Sequence, residues 1–214
     1  MPKTKTLILI FIPALLIAGF ALFIRVIQYE PLYPKITNTL KNNGNNFTVP
    51  IYPEDPIIGN KKAPQTIIVF EDFACEGCNI QFTLLEQIMT KYPNKLKIIW
   101  KGLPVSQFPY SSELAHRYSL CANEQDKFTE FYKFAFTNGD NLSEEILNII
   151  NEQIDINPKK LATCLESGRA DSHISKTEQL GMVLNIQAVP TIFINNKQVE
   201  SPSTVEGWET LLNL

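Results

Sequence analysis

The chain has 214 residues, of which 44% are hydrophobic and 19% charged, the balance of an ordinary globular protein. Its formal net charge of −3 points away from nucleic acid as a partner and from a polybasic membrane patch. The four cysteines permit two disulfides without requiring them.

Taken in chain order, the first feature is Leu7 to Ile24, a run without a charged residue. As a helix it is roughly 27 Å long, close to the ~30 Å hydrocarbon core of a bilayer. Lys3 and Lys5 precede it, which favours a cytoplasmic N-terminus, although Arg25 on the far side opposes that bias. A cleaved signal peptide is the rival reading, but its apolar region is usually shorter and ends in a small-x-small site. A buried soluble helix fits poorly, since no polar face exists. The expectation is therefore a cytoplasmic segment at 1–6, an uncleaved membrane anchor in contact with lipid at 7–25, and an extracytoplasmic remainder in a compartment where disulfides persist. Residues 26–55 read as a stalk, rich in Asn and Pro and without sustained periodicity. The sequons Asn46-Phe47-Thr48 and Asn141-Leu142-Ser143 match a pattern that is common by chance.

Residues 56–214 read as one folded domain. Thr66-Ile67-Ile68-Val69-Phe70 is a short β-branched run without alternation, as expected of a strand buried on both faces. Cys75-Glu76-Gly77-Cys78 follows, and then Phe82, Leu85, Ile88 and Met89 recur at helical spacing. The two cysteines thus fall at a strand-to-helix junction. The first sits where unpaired N–H groups and the helix dipole favour a thiolate. The second lies about one turn on, within reach of a disulfide. After a break at Pro93-Asn94, Leu96-Lys97-Ile98-Ile99-Trp100 reads as a second buried strand, parallel to the first because a helix connects them. Lys101-Gly102-Leu103-Pro104 is expected to turn the chain.

A helical block follows, at about 108–186. Tyr110, Leu114, Tyr118 and Cys121 share a face of its first helix, with Ser111 or Ser112 as cap. Phe128, Phe131, Tyr132 and Ala135 line the next helix. Ser143 and Asn157-Pro158 open two more, and a longer one runs from about Ala170 to Leu184. Thr191-Ile192-Phe193-Ile194 returns to strand character, and Asn195-Asn196 turns it into a hairpin with Lys197-Gln198-Val199-Glu200. A last helix spans about Ser203 to Asn213. The fold class is α/β, a sheet layer with a helical insertion.

The strand order, the C-x-x-C after the first central strand and the distant Val189-Pro190-Thr191 resemble the thioredoxin superfamily. The helical insertion narrows the resemblance to its DsbA-like thiol oxidoreductases. The stretches Pro56 to Asn60, Phe70 to Cys75 and Cys121 to Phe128 resemble membrane-anchored bacterial members. The likeness covers residues from about 55 to the end. It implies a thioredoxin fold and a membrane-tethered enzyme that donates a Cys75–Cys78 disulfide to unfolded or reduced exported proteins. Reoxidation by a quinone-linked membrane enzyme is implied as well. A thiol reductase or isomerase and a non-catalytic, chaperone-like peptide-binding module are the alternatives. No cofactor and no metal is expected.

Cys75 is the expected nucleophile and Cys78 its buried, resolving partner. A structural bridge or half of a zinc site are the bland readings. Zinc wants a second close pair or matched histidines, whereas Cys121 and Cys164 are far apart and His116 and His173 stand alone, expected as surface or internally satisfied residues. Pro190 matches the family's cis-proline, with Val189 offering backbone groups to a substrate strand. Two departures stand out. Glu76-Gly77 occupies the positions where many members carry His or Pro, and the acidic Glu76 is expected to raise the thiolate's pKa, making a milder oxidant than the strongest members. Thioredoxins often bury an acid six positions before the first cysteine, where this chain has Val69. Glu71 and Asp72 are the candidates for that proton relay, or are simply solvated. Cys121 and Cys164 are expected to form a structural disulfide closing a loop of roughly 43 residues, with buried free thiols as the alternative.

Overall fold

The computed structural model describes residues 19–20 and 48–214. The anchor expected at 7–25 (residues 19–20 apart) and residues 26–47 of the stalk expected at 26–55 lie outside the described residues. Among the described residues no helix is long and apolar enough to cross a membrane.

Five strands form one mixed sheet: β1 (Ile57–Gly59), β2 (Gln65–Glu71), β3 (Leu96–Gly102), β4 (Thr191–Ile194) and β5 (Lys197–Val199). Their spatial order is β1-β3-β2-β4-β5. The central pair β2 and β3 runs parallel, Ile67 opposite Ile98 and Val69 opposite Trp100. The helix α1 (Glu76–Lys91) makes the crossover between them. β4 pairs antiparallel with β2, and the hairpin to β5 turns on Asn195 and Asn196, both at positive φ, a conformation Asn tolerates better than most residues. Five helices separate β3 from β4: α2 (Glu113–Asn123), α3 (Phe128–Thr137), α4 (Glu144–Gln153), α5 (Pro158–Glu166) and α6 (Arg169–Val183). The helix α7 (Val205–Leu212) closes the chain. Their starts are written locally. Ser143 caps α4 by accepting the Ile146 N–H, and Asn157 caps α5 just before Pro158.

β2 is buried on both faces, which explains its unbroken apolar run. Ile67 and Val69 join the large core with Leu85 and Ile88 of α1, Trp208 of α7 and the aromatic residues of α3. Ile68 and Phe70 join a smaller core with Leu180 of α6 and Phe193. Cys121 of α2 is disulfide-bonded to Cys164 of α5, cross-linking the helical insertion.

Several expectations need correction. The fold begins earlier than 56: Val49 is buried in the smaller core, and its N–H donates to Asn196 Oδ1 at 3.0 Å. Asp55, expected in the stalk, is fully buried and paired with Lys101. That pair also moves the end of β3, because Lys101 and Gly102 continue the strand instead of turning the chain. β1, a three-residue edge strand that follows Pro56 and ends at Gly59, is too short to show a pattern in the sequence. Tyr110 precedes α2 and is 44% exposed, so it is not on the packed face. Ser112 does not cap α2 with its side chain, because that hydroxyl is engaged elsewhere.

Candidate active site

β2 ends at Glu71, and the turn Asp72-Phe73-Ala74 delivers Cys75 to the N-cap of α1. The turn is fixed by its first residue. The Cys75 N–H donates to the Asp72 carbonyl at 3.1 Å, and the Ala74 N–H donates to Asp72 Oδ1 at 3.1 Å. Cys75 has extended backbone angles, and its sulfur takes the role a serine or aspartate oxygen plays in an ordinary cap: the Cys78 N–H donates to Cys75 Sγ at 3.2 Å. A half-buried sulfur at a helix N-terminus is a place where negative charge is stabilised.

Cys78 is fully buried, and the two cysteines are not bonded to each other. The pair divides its acidity unequally. A hydrogen bond from the Cys78 thiol, together with the backbone N–H groups of Cys78 and Gly77, lowers Cys75 to about 7 against burial and the charge of Asp72. Burial pushes the Cys78 thiol far up, and its bond to Cys75 and the Glu71 charge add to that. The half-buried sulfur of Cys75 is thus the one that ionises. The acid working against it is Asp72 and not, as expected, Glu76, which is exposed.

Opposite Cys75 stands the Val189–Pro190 peptide, which is cis. Cys75 Sγ lies 3.5 Å from the Val189 carbonyl oxygen. Gly77 lets the two elements approach: a β-carbon there would lie 3.3 Å from Pro190 Cδ and 3.9 Å from Cys75 Sγ. Open space flanks this point on both sides. One hollow of about 220 Å³ is lined by Cys75, Glu76 and Asn79 together with Thr137 at the end of α3 and Asp140 just beyond it. Another of about 490 Å³ runs along Ala188, Pro190, Thr191 and Val199.

Neither acid before the cysteines is solvated; Glu71 and Asp72 are both 0% exposed. They occupy different environments. Burial raises Glu71 to about 8, and the charge of Cys75 adds to this, while the Tyr132 hydroxyl, donating to Glu71 Oε2 at 2.7 Å, works the other way. Burial would raise Asp72 too, but His116 and the N–H groups of Ala74 and Ser106 more than offset it, holding the carboxyl well below the usual carboxylate range. Asp72 Oδ2 accepts from the Val105 N–H at 2.8 Å, the Ser106 N–H at 2.7 Å and the Ser112 hydroxyl at 2.9 Å. His116 Nε2 lies 3.4 Å from Asp72 Oδ1.

The structure therefore brings together Cys75, Cys78, Val189, Pro190, Glu71 and Asp72. Cys121 and Cys164 belong to the insertion, and being bonded to each other they are not available as metal ligands. His116, Ser112 and Tyr132 also join the site, a part not expected of any of them from the sequence. All three sit on insertion helices or their starts, where helical spacing and capping preference give no hint of what each side chain meets. His116 is fully buried and stacked on Trp100 with ring centroids 5.2 Å apart. His173, in α6, lies 3.3 Å from Asp55 Oδ1, so neither histidine is a surface residue.

A sequence-family model described as thioredoxin matches residues 52–213. The chain belongs to the thioredoxin family. It is 23% identical over 163 residues to Na(+)/H(+) antiporter NhaA 3 of Salinispora tropica, a match covering 76% of this chain and 25% of the antiporter. The chain thus spans about a quarter of the length of that relative. It is 24% identical over 155 residues to disulfide bond formation protein D of Bacillus subtilis, covering 68% of this chain and 70% of that protein. Among solved structures, the thiol-disulfide exchange protein α-DsbA2 of Wolbachia pipientis superposes with a TM-score of 0.66 at 18% identity, covering 74% of this chain and 86% of that one. Within the thioredoxin family the fold is DsbA-like, with the helical insertion between β3 and β4, in agreement with the resemblance of the C-x-x-C and Val-Pro-Thr segments.

Proposed function

We propose that this protein is a membrane-anchored, extracytoplasmic thiol:disulfide oxidoreductase that introduces disulfides into exported proteins through Cys75 and Cys78. The observation that carries the reading is the asymmetric pair: a half-buried Cys75 capping α1 and facing cis-Pro190, above a Cys78 sealed in the core. In the oxidised state a substrate thiolate attacks Cys75 Sγ. The Cys75–Cys78 bond breaks, and Cys78 leaves with the electron pair and takes up a proton. A second substrate thiolate attacks the substrate sulfur of the mixed disulfide, and Cys75 departs as a thiolate. The substrate loses two electrons and gains a disulfide; the protein gains two electrons as a dithiol. Cys75 leaves readily because its thiolate is stable near neutral pH. Glu71, buried and poised near 8, is the group suited to exchange the Cys78 proton. Asp72 shapes the turn and sets a charge beside Cys75.

Val189 and Pro190 present backbone to an extended substrate segment along the hollow beside β4. The apolar run at 7–25 ties the domain to the membrane, next to the quinone-linked enzyme that would restore the disulfide. The likeness to disulfide bond formation protein D of Bacillus subtilis favours the oxidising direction over reduction or isomerisation. A purely peptide-holding role has no use for an ionised Cys75.

Two variants test this. Cys75→Ser abolishes both insulin reduction and oxidation of a reduced protein while peptide binding beside Pro190 persists. Cys78→Ala accumulates mixed disulfides between Cys75 and client proteins, recoverable from the cell envelope. An active Cys75→Ser variant, or a Cys78→Ala variant that traps nothing, contradicts the proposal.

A further inference from the structure

Glu71 is fully buried; its Oε2 accepts from Tyr132, while Oε1 has no well-formed hydrogen bond, the nearby Trp100 indole N–H giving the carboxyl a weaker second support. A buried carboxyl so thinly supported is costly to keep, and its position explains why it is kept. The groups around it are Cys75 and Cys78 from the start of α1, Trp100 from β3 and Tyr132 from α3; Glu86 of α1 acts in turn on Tyr132. Tyr132 is the one member of this set that the helical insertion supplies. Its ring is wedged among Phe82, Phe136 and Trp100, with centroids 5.2, 4.9 and 6.3 Å away. The ring's position, and with it the hydroxyl's, is therefore fixed by packing.

We propose that the Tyr132 hydroxyl is a positioning group that aims Glu71 at Cys78 and keeps its carboxylate accessible, so that the helical insertion governs proton exchange at the buried cysteine. The inference rests on the oxidoreductase reading above. When Cys78 resolves a mixed disulfide at Cys75, its proton passes to Oε1 of Glu71. The Cys78 thiolate attacks Cys75 Sγ, the Cys75–Cys78 bond forms, and the bound thiol leaves as a thiolate. In the forward, oxidising direction the same proton returns from Glu71 to Cys78. The Tyr132 hydroxyl stabilises the charged form of Glu71. Its loss raises the carboxyl further, so the base form becomes scarcer at neutral pH.

The test is a stopped-flow reaction of the reduced protein with Ellman's reagent across a range of pH. The first thiolate released reports attack by Cys75; the second reports displacement by Cys78. Tyr132→Phe keeps the ring and removes only the hydroxyl. It shifts the midpoint of the second phase upward by roughly one to two pH units, slowing that phase at neutral pH by roughly tenfold or more, and leaves the first phase nearly in place. Glu71→Gln slows the second phase and flattens its pH dependence. Tyr132→Phe added to Glu71→Gln changes nothing more, whereas a merely structural tyrosine would still cost rate in that background. An unshifted second phase in Tyr132→Phe, or full additivity in the double variant, overturns the inference. Failure of the oxidoreductase reading shows itself separately, as a wild-type protein with no second phase at all.

Discussion

The carboxylate of Asp72 and the hydroxyl of Ser112 are joined by a 2.9 Å hydrogen bond across 40 residues of sequence. One end belongs to the turn that delivers Cys75, the other to the entry of the helical insertion. Through the Val105 and Ser106 N–H groups the same carboxylate also holds the loop between β3 and α2. Asp72 is thus both the clamp of the site and the negative charge that opposes the Cys75 thiolate.

Asp72→Asn separates those two roles. Without the charge, Cys75 ionises below its present value of about 7, by roughly half a unit to one unit. The reduced form gains stability and the protein becomes a stronger oxidant. The clamp loosens as well, costing about 1–3 kcal/mol of stability for a weakened set of charge-assisted bonds. Because the Asp72 carboxyl is depressed on folding, its contribution is present above the unfolded value of about 4 and is lost as pH falls below it. Urea melts of wild type and variant should therefore converge at acid pH, and thiolate absorbance should give the Cys75 midpoint.

Glu71 predicts the opposite pH dependence. Its folded carboxyl is raised to about 8, so the folded state holds a proton that the unfolded chain releases. Stability falls as pH rises from about 4 to about 8. Glu71→Gln removes that penalty, and its melting temperature should exceed wild type by several degrees at about pH 8 and by much less at about pH 5. Thermal melts of the reduced protein at the two pH values check this.

The Cys121–Cys164 bridge spans 43 residues of sequence and lies wholly within the insertion. Replacing both cysteines with alanine should cost about 2–4 kcal/mol, read from denaturant midpoints. Cys75 and Cys78 should keep their reactivity toward a small disulfide, since neither partner belongs to the redox turn.

Much of this architecture was legible in the sequence because its signals are local. The run at Thr66 to Phe70, the helical spacing after Cys78, the caps at Ser143 and Asn157 and the Asn195-Asn196 turn each declare themselves within a few residues. What escaped depends on partners far along the chain. Lys101 looked like the start of a turn because an isolated lysine in a buried strand makes no sense without Asp55, 46 residues away. Ser112 looked like a helix cap, but Asp72 outcompetes the helix for its hydroxyl. Tyr132 read as part of a helix's packed face and His116 as a lone surface or internally satisfied histidine, and only the docking of the insertion against the β2 turn gives each a carboxylate. Glu76 seemed the acid nearest the thiolate in sequence, but it points to solvent, where its field is screened.

If the proposed activity holds, the Cys75–Cys78 bond breaks as a disulfide forms in the substrate, two electrons passing from substrate to protein. The direct measurement mixes the oxidised protein with an equimolar amount of a reduced two-cysteine peptide, quenches with an alkylating reagent and weighs both chains. One peptide disulfide should appear for each protein molecule, with Cys75 and Cys78 now alkylated and Cys121–Cys164 intact. A peptide that keeps its thiols, or one oxidised equally well by Cys75→Ser, contradicts the account.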